Sequence, residues 1–239
     1  MWARKDDRKG YDIVIKNDLK SYLYRSCKGC TQHDIAEVVY IKYKYQFICV
    51  SNKNKLWYYF DKHRWVKSDN GVHLRMKLST DIVNEYRDYS IFCNDQAKKN
   101  DDNSDTWDER AKTCSAIIKK LKTTSFKECI MRECADLFFK PDFFEKLDSK
   151  VHLLGFENGV YDLEKMEFRN GIPEDLISNS TKIDYIEFTD DDIEHITNIE
   201  IFLEQVLPID DVRAYVLRLF ACFLSGKTGH EKFHFWTGS

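Results

Sequence analysis

Three stretches of the chain carry residue types that could do chemistry. The first is the run Lys232-Phe-His-Phe-Trp-Thr237, strand-like in its aromatic and β-branched content, which leads into Gly238-Ser239. A strand that feeds a glycine is how a phosphate-binding loop begins: strand, then Gly-x-x-x-x-Gly-Lys-Ser/Thr, then helix. In such a loop the backbone amides cradle phosphates, the lysine reaches the outer phosphates and the hydroxyl holds magnesium. Gly238 and Ser239 would be its first two nucleotide-binding positions. Gly226-Lys227-Thr228 imitates the core of the same loop, but the first glycine would then fall on Ala221. It also follows a helical pattern and precedes a strand, the reverse of the required order. Gly226 is read as a helix end.

The second stretch is Cys27-x-x-Cys30 with His33, which has the spacing of half a zinc site. The other half has no counterpart, Cys49 and His63 being the only nearby residues of the right type. No metal is expected, and Cys27 and Cys30 are the residues a zinc ion would use. A loop-to-helix junction competes for the same residues, since His33-Asp34 ahead of Ile35 reads as a helix start. The third stretch interleaves Trp57, Tyr58, Tyr59, Lys62, His63, Arg64 and Trp65. Rings that stack on bases, beside cations that meet phosphates, are the equipment of single-strand binding. A small sheet that buries its tryptophans accounts for the rings equally, which leaves Lys62, His63 and Arg64 as candidate DNA contacts. No Ser/His/Asp set, paired carboxylates or His-x-x-x-His spacing accompanies them, so no catalytic residue is assigned. Asp190-Asp-Asp192 behind Thr189 is read as a helix start, because carboxylates favour the positive end of the helix dipole.

These residues must be positioned by an α+β chain rich in helix. Its 239 residues are 43% hydrophobic and 14% aromatic, enough for a core, and only three prolines and nine glycines interrupt it. Charged residues make up 32% but nearly cancel to −3, which gives no basic excess of the kind that marks many DNA-binding domains. The eight cysteines are scattered through apolar patterns and are expected to be reduced, each acting as a small hydrophobe. With no leader pattern and no apolar window near the ~20 residues of a membrane span, a soluble intracellular protein is expected.

In chain order, residues 1–30 form an ill-defined N-terminal segment. Residues 32–45 read as a helix with Ile35, Val38, Val39 and Tyr43 on one face. Phe47–Val50, Leu56–Phe60 and Arg64–Lys67 read as an antiparallel three-stranded unit. One long helix is expected through Leu74, Leu78, Ile82, Tyr86 and Tyr89, then a disordered loop near 98–105. A helix through Trp107, Ala111, Cys114, Ile118 and Leu121 follows, and then another through Phe126, Ile130, Cys134 and Leu137, with Ser125 and Glu128 as its capping box. A β-meander occupies 151–169, with Asn158-Gly159 and Asn170-Gly171 as tight turns that use positive φ. A strand is expected near 182–188. Two helices then bury Ile193, Ile196, Ile199, Leu203 and Val206, and Val212, Tyr215, Val216, Leu219, Phe220 and Phe223. The division expected is an accessory domain at 31–190, a helical collar at 191–231, and the first strand of a motor at 232–239.

Several separated motifs then occur in a telling order. Phe156-Glu-Asn-Gly-Val-Tyr-Asp-Leu163, Phe168-Arg169, Pro173-Glu-Asp175 and Ser180-Thr181 resemble the region just ahead of the helicase core in poxvirus-type primase-helicases of large DNA viruses. Pro208, Tyr215-Val-Leu-Arg-Leu219, Leu224-Ser-Gly226 and Phe233-His-Phe-Trp-Thr-Gly-Ser239 are similar to the same proteins' entry into a superfamily-three helicase domain. The resemblance covers roughly residues 30–239. It implies a truncated P-loop NTPase core that begins at Gly238, with the lysine and later motor residues beyond Ser239. It also implies, for the complete protein, ATP and magnesium, DNA as substrate, a hexamer, an N-terminal primase domain and a cytoplasmic viral replication site. No cofactor is expected for this stretch alone. Its own role would be to couple primase and motor and to assist DNA engagement. The alternative is a stand-alone single-strand-binding or replisome-docking module without NTPase activity.

Overall fold

The computed structural model describes the backbone of residues 8–99, 103–224, 226 and 235, and side chains from Asp18 onward. It divides into two units. The first comprises the residues up to Asp61 together with Val66–Glu145; the second takes Lys62–Trp65 and the residues from Lys146 onward.

In the first unit, helix α1 (Arg8–Gly29) leads to α2 (Gln32–Tyr43). Between them Thr31 and Asp34 form a reciprocal capping box, Thr31 N–H to Asp34 Oδ2 at 3.1 Å and Asp34 N–H to Thr31 Oγ1 at 3.1 Å. The expected strands follow as β1 (Phe47–Ser51), β2 (Leu56–Asp61) and β3 (Arg64–Asp69), in the order β1-β2-β3. The pairing of β1 with β2 is antiparallel, Phe47 opposite Tyr59 and Cys49 opposite Trp57. Helices α3 (Val72–Ser79), α4 (Asp81–Lys99), α5 (Ser104–Lys120), α6 (Thr124–Leu137) and the single turn α7 (Phe143–Lys146) complete the order.

One apolar cluster holds this unit together. Leu19, Leu23 and Cys27 of α1 are buried with Ile35, Val38 and Val39 of α2, Trp57 of β2, and Leu74, Leu78, Ile82, Tyr86, Cys114, Ile130 and Cys134 from the later helices. Trp57 leans on Phe138, their ring centroids 5.8 Å apart. The tryptophan of β2 is therefore core, as the small-sheet reading expects.

Four local expectations need correction. The helix expected to run unbroken through Leu74 and Tyr89 is two helices, divided at Thr80, whose hydroxyl bonds back to the Met76 carbonyl at 3.1 Å. Such a back-bonded threonine competes with the helix's own bonds, and the helix breaks there. The capping box of Ser125 and Glu128 does not form. The chain enters α6 through Thr123, whose hydroxyl bonds to the Lys120 carbonyl at 2.8 Å. The loop expected over 98–105 is shorter, because Lys98 and Lys99 end α4 and Ser104 and Asp105 begin α5; residues 100–102 lie outside the described residues. Residues 182–188 form no strand.

The second unit begins with the meander: β4 (Leu153–Gly155), β5 (Val160–Asp162) and β6 (Glu167–Arg169), antiparallel throughout. A 3-10 turn at Pro173–Asp175 follows, then a long irregular stretch. The expected helix start at Thr189 is present: its N–H bonds Asp192 Oδ2 at 2.9 Å. A 3-10 turn there leads into α8 (Ile193–Val206), and α9 (Asp210–Leu224) closes with Gly226 at φ 62°, the left-handed value of a helix end. The buried faces expected for these two helices are not covered. No residue of α8 is buried and only Val216 of α9 is, while Ile199 is 60% exposed and Phe223 also 60%. Apolar spacing foretells a face, not what lies against it. Among the described residues no helix is long and apolar enough to cross a membrane.

This contrast gives a direct stability test. Ile130, fully buried, should cost ~2–5 kcal/mol when changed to Ala. Ile199→Ala on α8 should stay within about 0.5 kcal/mol of wild type. Urea unfolding followed by far-UV circular dichroism measures both, and equal losses would contradict the assignment of the core.

Candidate functional site

The turn between β2 and β3 carries the candidate cations, and its loop begins with Lys62 in the left-handed region at φ 52°. Two-residue hairpin loops adopt such conformations because they match the twist of the flanking strands. Residues 62–65 are built into the second unit by four polar contacts. His63 Nδ1 accepts the Gly171 N–H at 3.2 Å. Arg64 Nη2 meets Glu157 Oε2 at 2.8 Å. The Trp65 indole N–H donates to the Pro173 carbonyl at 2.8 Å, and the Trp65 backbone N–H to the Ile177 carbonyl at 2.7 Å. Gly171 has no room for a side chain, since a Cβ there would lie 2.3 Å from the His63 carbonyl oxygen.

Glu157 is the hub. Its second oxygen accepts the Ser180 hydroxyl at 2.6 Å. The bond from Arg64, then that from Ser180, hold its carboxyl below the usual range. Beside it, Arg169 grips Asp175 through two bonds of 2.8 Å, and Asp175 also accepts the Ile172 N–H at 2.8 Å. Asp175 is 3% exposed, so its charge is tolerable only because these donors surround it. Asp148 closes the other side through the Ser178 N–H at 2.6 Å and the Asn179 side chain at 2.9 Å.

The segment Phe156–Leu163 reads residue by residue as a set of structural tasks. Asn158 is doubly bonded to Tyr185, its Oδ1 accepting the N–H at 2.8 Å and its Nδ2 donating to the carbonyl at 2.9 Å. Val160 is fully buried. Asp162 Oδ1 accepts the N–H groups of Glu164 and Lys165, shaping the next turn. Gly159 is required for closeness: a Cβ would come within 2.5 Å of the Phe168 ring. This corrects the turn expectation, because neither Asn-Gly step has positive φ; within the meander that conformation falls on Met166, at φ 54°.

The predicted residues thus separate. His63 and Arg64 face inward partners, whereas Lys62 is exposed and has no ion pair among the described residues. Cys27 and Cys30 turn apart: Cys27 Sγ lies 3.2 Å from Cys114 Sγ, and Cys30, at φ 56°, directs its thiol to the Cys27 carbonyl. His33 pairs with Glu133 at 3.1 Å. No group of three His, Cys, Asp or Glu side chains suited to a metal gathers among the described residues. Gly238 and Ser239 lie outside the described residues, as does the strand leading to them apart from the exposed Phe235.

Sequence reasoning quoted Glu157, Arg169 and Asp175 only as letters of the resemblance motifs and gave them no role in a site, and it did not mention Asp148. Two clefts were also unforeseen. One in the second unit, of about 460 Å³, is lined by Asp148, Lys150, Gly155, Asn179 and Thr181 among others. One in the first, of about 410 Å³, is lined by Asn52, Lys55, Arg75, Glu128 and Arg132 around the edge of Trp57.

Comparison with known proteins adds a lineage to this geometry. Residues 36–208 match the family described as D5 N terminal like. Over its whole length the chain is 37% identical to a protein of Acanthamoeba polyphaga mimivirus named as a candidate helicase, covering 25% of that protein. A protein of Frog virus 3 with a like name is 28% identical over 79% of the chain and 23% of its own length. A protein of African swine fever virus, named as a candidate primase, is 24% identical over 90% of the chain and 24% of its own length. The chain spans about a quarter of the length of the curated relatives it matches.

The depressed carboxyl of Glu157 has a definite consequence in acid. A group whose folded pKa lies below its unfolded value of about 4.5 stabilises the fold above that pH, and this stability is lost as pH falls through the lower folded value. Lowering pH from about 6 to about 3 should therefore weaken the second unit. Glu157→Gln should be less stable at pH 6 and show a flatter acid limb, read from tryptophan fluorescence. An unchanged acid profile in the variant would remove Glu157 from the role of hub.

Proposed function

This chain belongs to the D5 N-terminal-like family, and we propose that it is the accessory region of a viral replicative helicase or primase-helicase, lying ahead of an ATP-driven DNA-unwinding motor. The observation that carries the reading is the 37% identity of the chain, over its whole length, to one quarter of a helicase-named viral protein. In this reading the region couples a primase domain to the motor and helps engage single-stranded or forked DNA. Gly238 and Ser239 open the phosphate loop of the longer protein, which supplies the site for ATP and magnesium and assembles as a hexamer.

The two units suggest a division of labour. The second holds the β2–β3 turn rigidly through Glu157, Gly171 and Pro173, with Lys62 left exposed at its tip. A fixed exposed cation is suited to a phosphate, and it is the one member of the predicted DNA-contact trio that is not engaged inside the fold. The same observation is what a stand-alone single-strand-binding module would require, so both readings meet at Lys62.

The experiment uses the complete gene product. It should contain a lysine six positions beyond Gly238, as the phosphate loop demands, and should hydrolyse ATP in a DNA-stimulated manner. Lys62→Glu should weaken its binding to a fluorescent forked DNA roughly tenfold at low salt and lower the salt slope by about 1. Hydrolysis that does not need that lysine, or its absence from the gene, would overturn the motor reading. Unchanged DNA affinity would overturn the contact at Lys62 alone.

A further inference from the structure

Cysteines from three helices converge inside the first unit, and the proposed function uses none of them. Cys27 of α1, Cys93 of α4 and Cys114 of α5 are 6%, 0% and 0% exposed. Cys27 Sγ and Cys114 Sγ stand 3.2 Å apart, although the residues are separated by 87 positions in sequence. That distance is shorter than ordinary contact between sulfur atoms and only about 1 Å longer than a disulfide bond. Next to them the Ser26 hydroxyl and the Tyr86 phenol are 2.7 Å apart, so this end of α1 is held to α4.

We infer that Cys27 and Cys114 are a thiol–disulfide pair, an oxidation site at which a peroxide-class oxidant covalently joins α1 to α5. In the first step the Cys27 thiolate attacks one oxygen of hydrogen peroxide, the O–O bond breaks, and Cys27 sulfenic acid and hydroxide form. In the second the Cys114 sulfur attacks the Cys27 sulfur, the S–O bond breaks, and the departing hydroxide takes up the Cys114 proton and leaves as water, while the first hydroxide takes up the proton that Cys27 gave up on becoming a thiolate. The sum is two thiols and one peroxide giving one disulfide and two waters.

The order of the steps follows from the surroundings. The bond from Cys114 favours the Cys27 thiolate, against the cost of burial, with Ser26 and the Arg110 charge adding to it. Cys114 is pushed the other way, first by its bond with Cys27 and then by its own burial. Cys27 is therefore the attacking sulfur and Cys114 the resolving one. Cys27 also lies two residues before the end of α1 at Gly29. Cys30 is exposed and bonds to the Cys27 carbonyl, and Cys93, buried nearby, has no sulfur–sulfur contact with Cys27 or Cys114 among the described residues.

The test is to treat the purified, reduced chain with a small excess of hydrogen peroxide and map its thiols by non-reducing peptide mass spectrometry. One crosslinked peptide pair, Cys27 with Cys114, is expected. It should be reversed by dithiothreitol and accompanied by a rise in Tm of roughly 10 °C, the entropy of closing so long a loop. Cys27→Ser and Cys114→Ala should each abolish the crosslink and the rise, and Cys30→Ser should keep both. If the variants fail to fold, the wild-type map still decides. Cys27 and Cys114 found as free thiols, joined to other cysteines, or oxidised only to sulfinic acid would each overturn the pairing.

Discussion

A carboxylate that must find partners organises the second unit. Among its described residues this unit has little apolar interior: Trp65, Val160, Ile177 and Val216 are the buried hydrophobics, beside two buried aspartates, Asp162 and Asp175. With so small a core, burial cannot fix the loops between 170 and 188, and polar bonds do it instead. Glu157 draws Arg64 and Ser180 together, Arg169 encloses Asp175, and Asp148 collects the amides after Ile177. Each is an all-or-none arrangement, because removing one member leaves a charge or amide without its partner. The position of the β2–β3 turn follows from that set.

The same logic decides which of the candidate cations can be offered to a ligand. Lysine, histidine and arginine in a row look equivalent as letters. In the fold Arg64 already answers a carboxylate, and His63 already accepts an amide from a glycine pressed against its backbone. Recruiting either to DNA would mean breaking a contact that holds the unit in shape. Lys62 occupies the turn tip in a left-handed conformation, and its ammonium is free to meet an outside charge.

What could be read from the letters was periodicity. Ile35, Val38, Val39 and Tyr43 at helical spacing, and Met166 and Phe168 at alternate positions, gave elements of the right type because spacing alone sets which face is apolar. Three kinds of fact were beyond that reach. Thr80 splits a helix because its hydroxyl finds a carbonyl one turn back, a local competition that apolar spacing does not record. Ile199 and Phe223 lie on faces that no neighbour covers among the described residues, and apolar spacing does not tell a covered face from an open one. Glu157, Arg64 and Ser180 meet across gaps of 93 and 23 residues, and such pairings are set by tertiary geometry.

The two Asn-Gly steps show why a specific motif need not be a chemical one. They suggested turns that exploit positive φ, yet Gly159 and Gly171 serve through the absence of a side chain, one beneath the Phe168 ring and the other against the His63 backbone. Around them, Glu157, Asn158, Val160 and Asp162 each have a bonding or packing task that fully occupies the side chain. The run Phe156–Leu163, which lies within the stretch matched to the family, is therefore a scaffold. Its specificity arises because every position answers to a different neighbour, so few other residues fit. Such a run says how the second unit is shaped, and it leaves the Lys62 side chain outside that set of contacts.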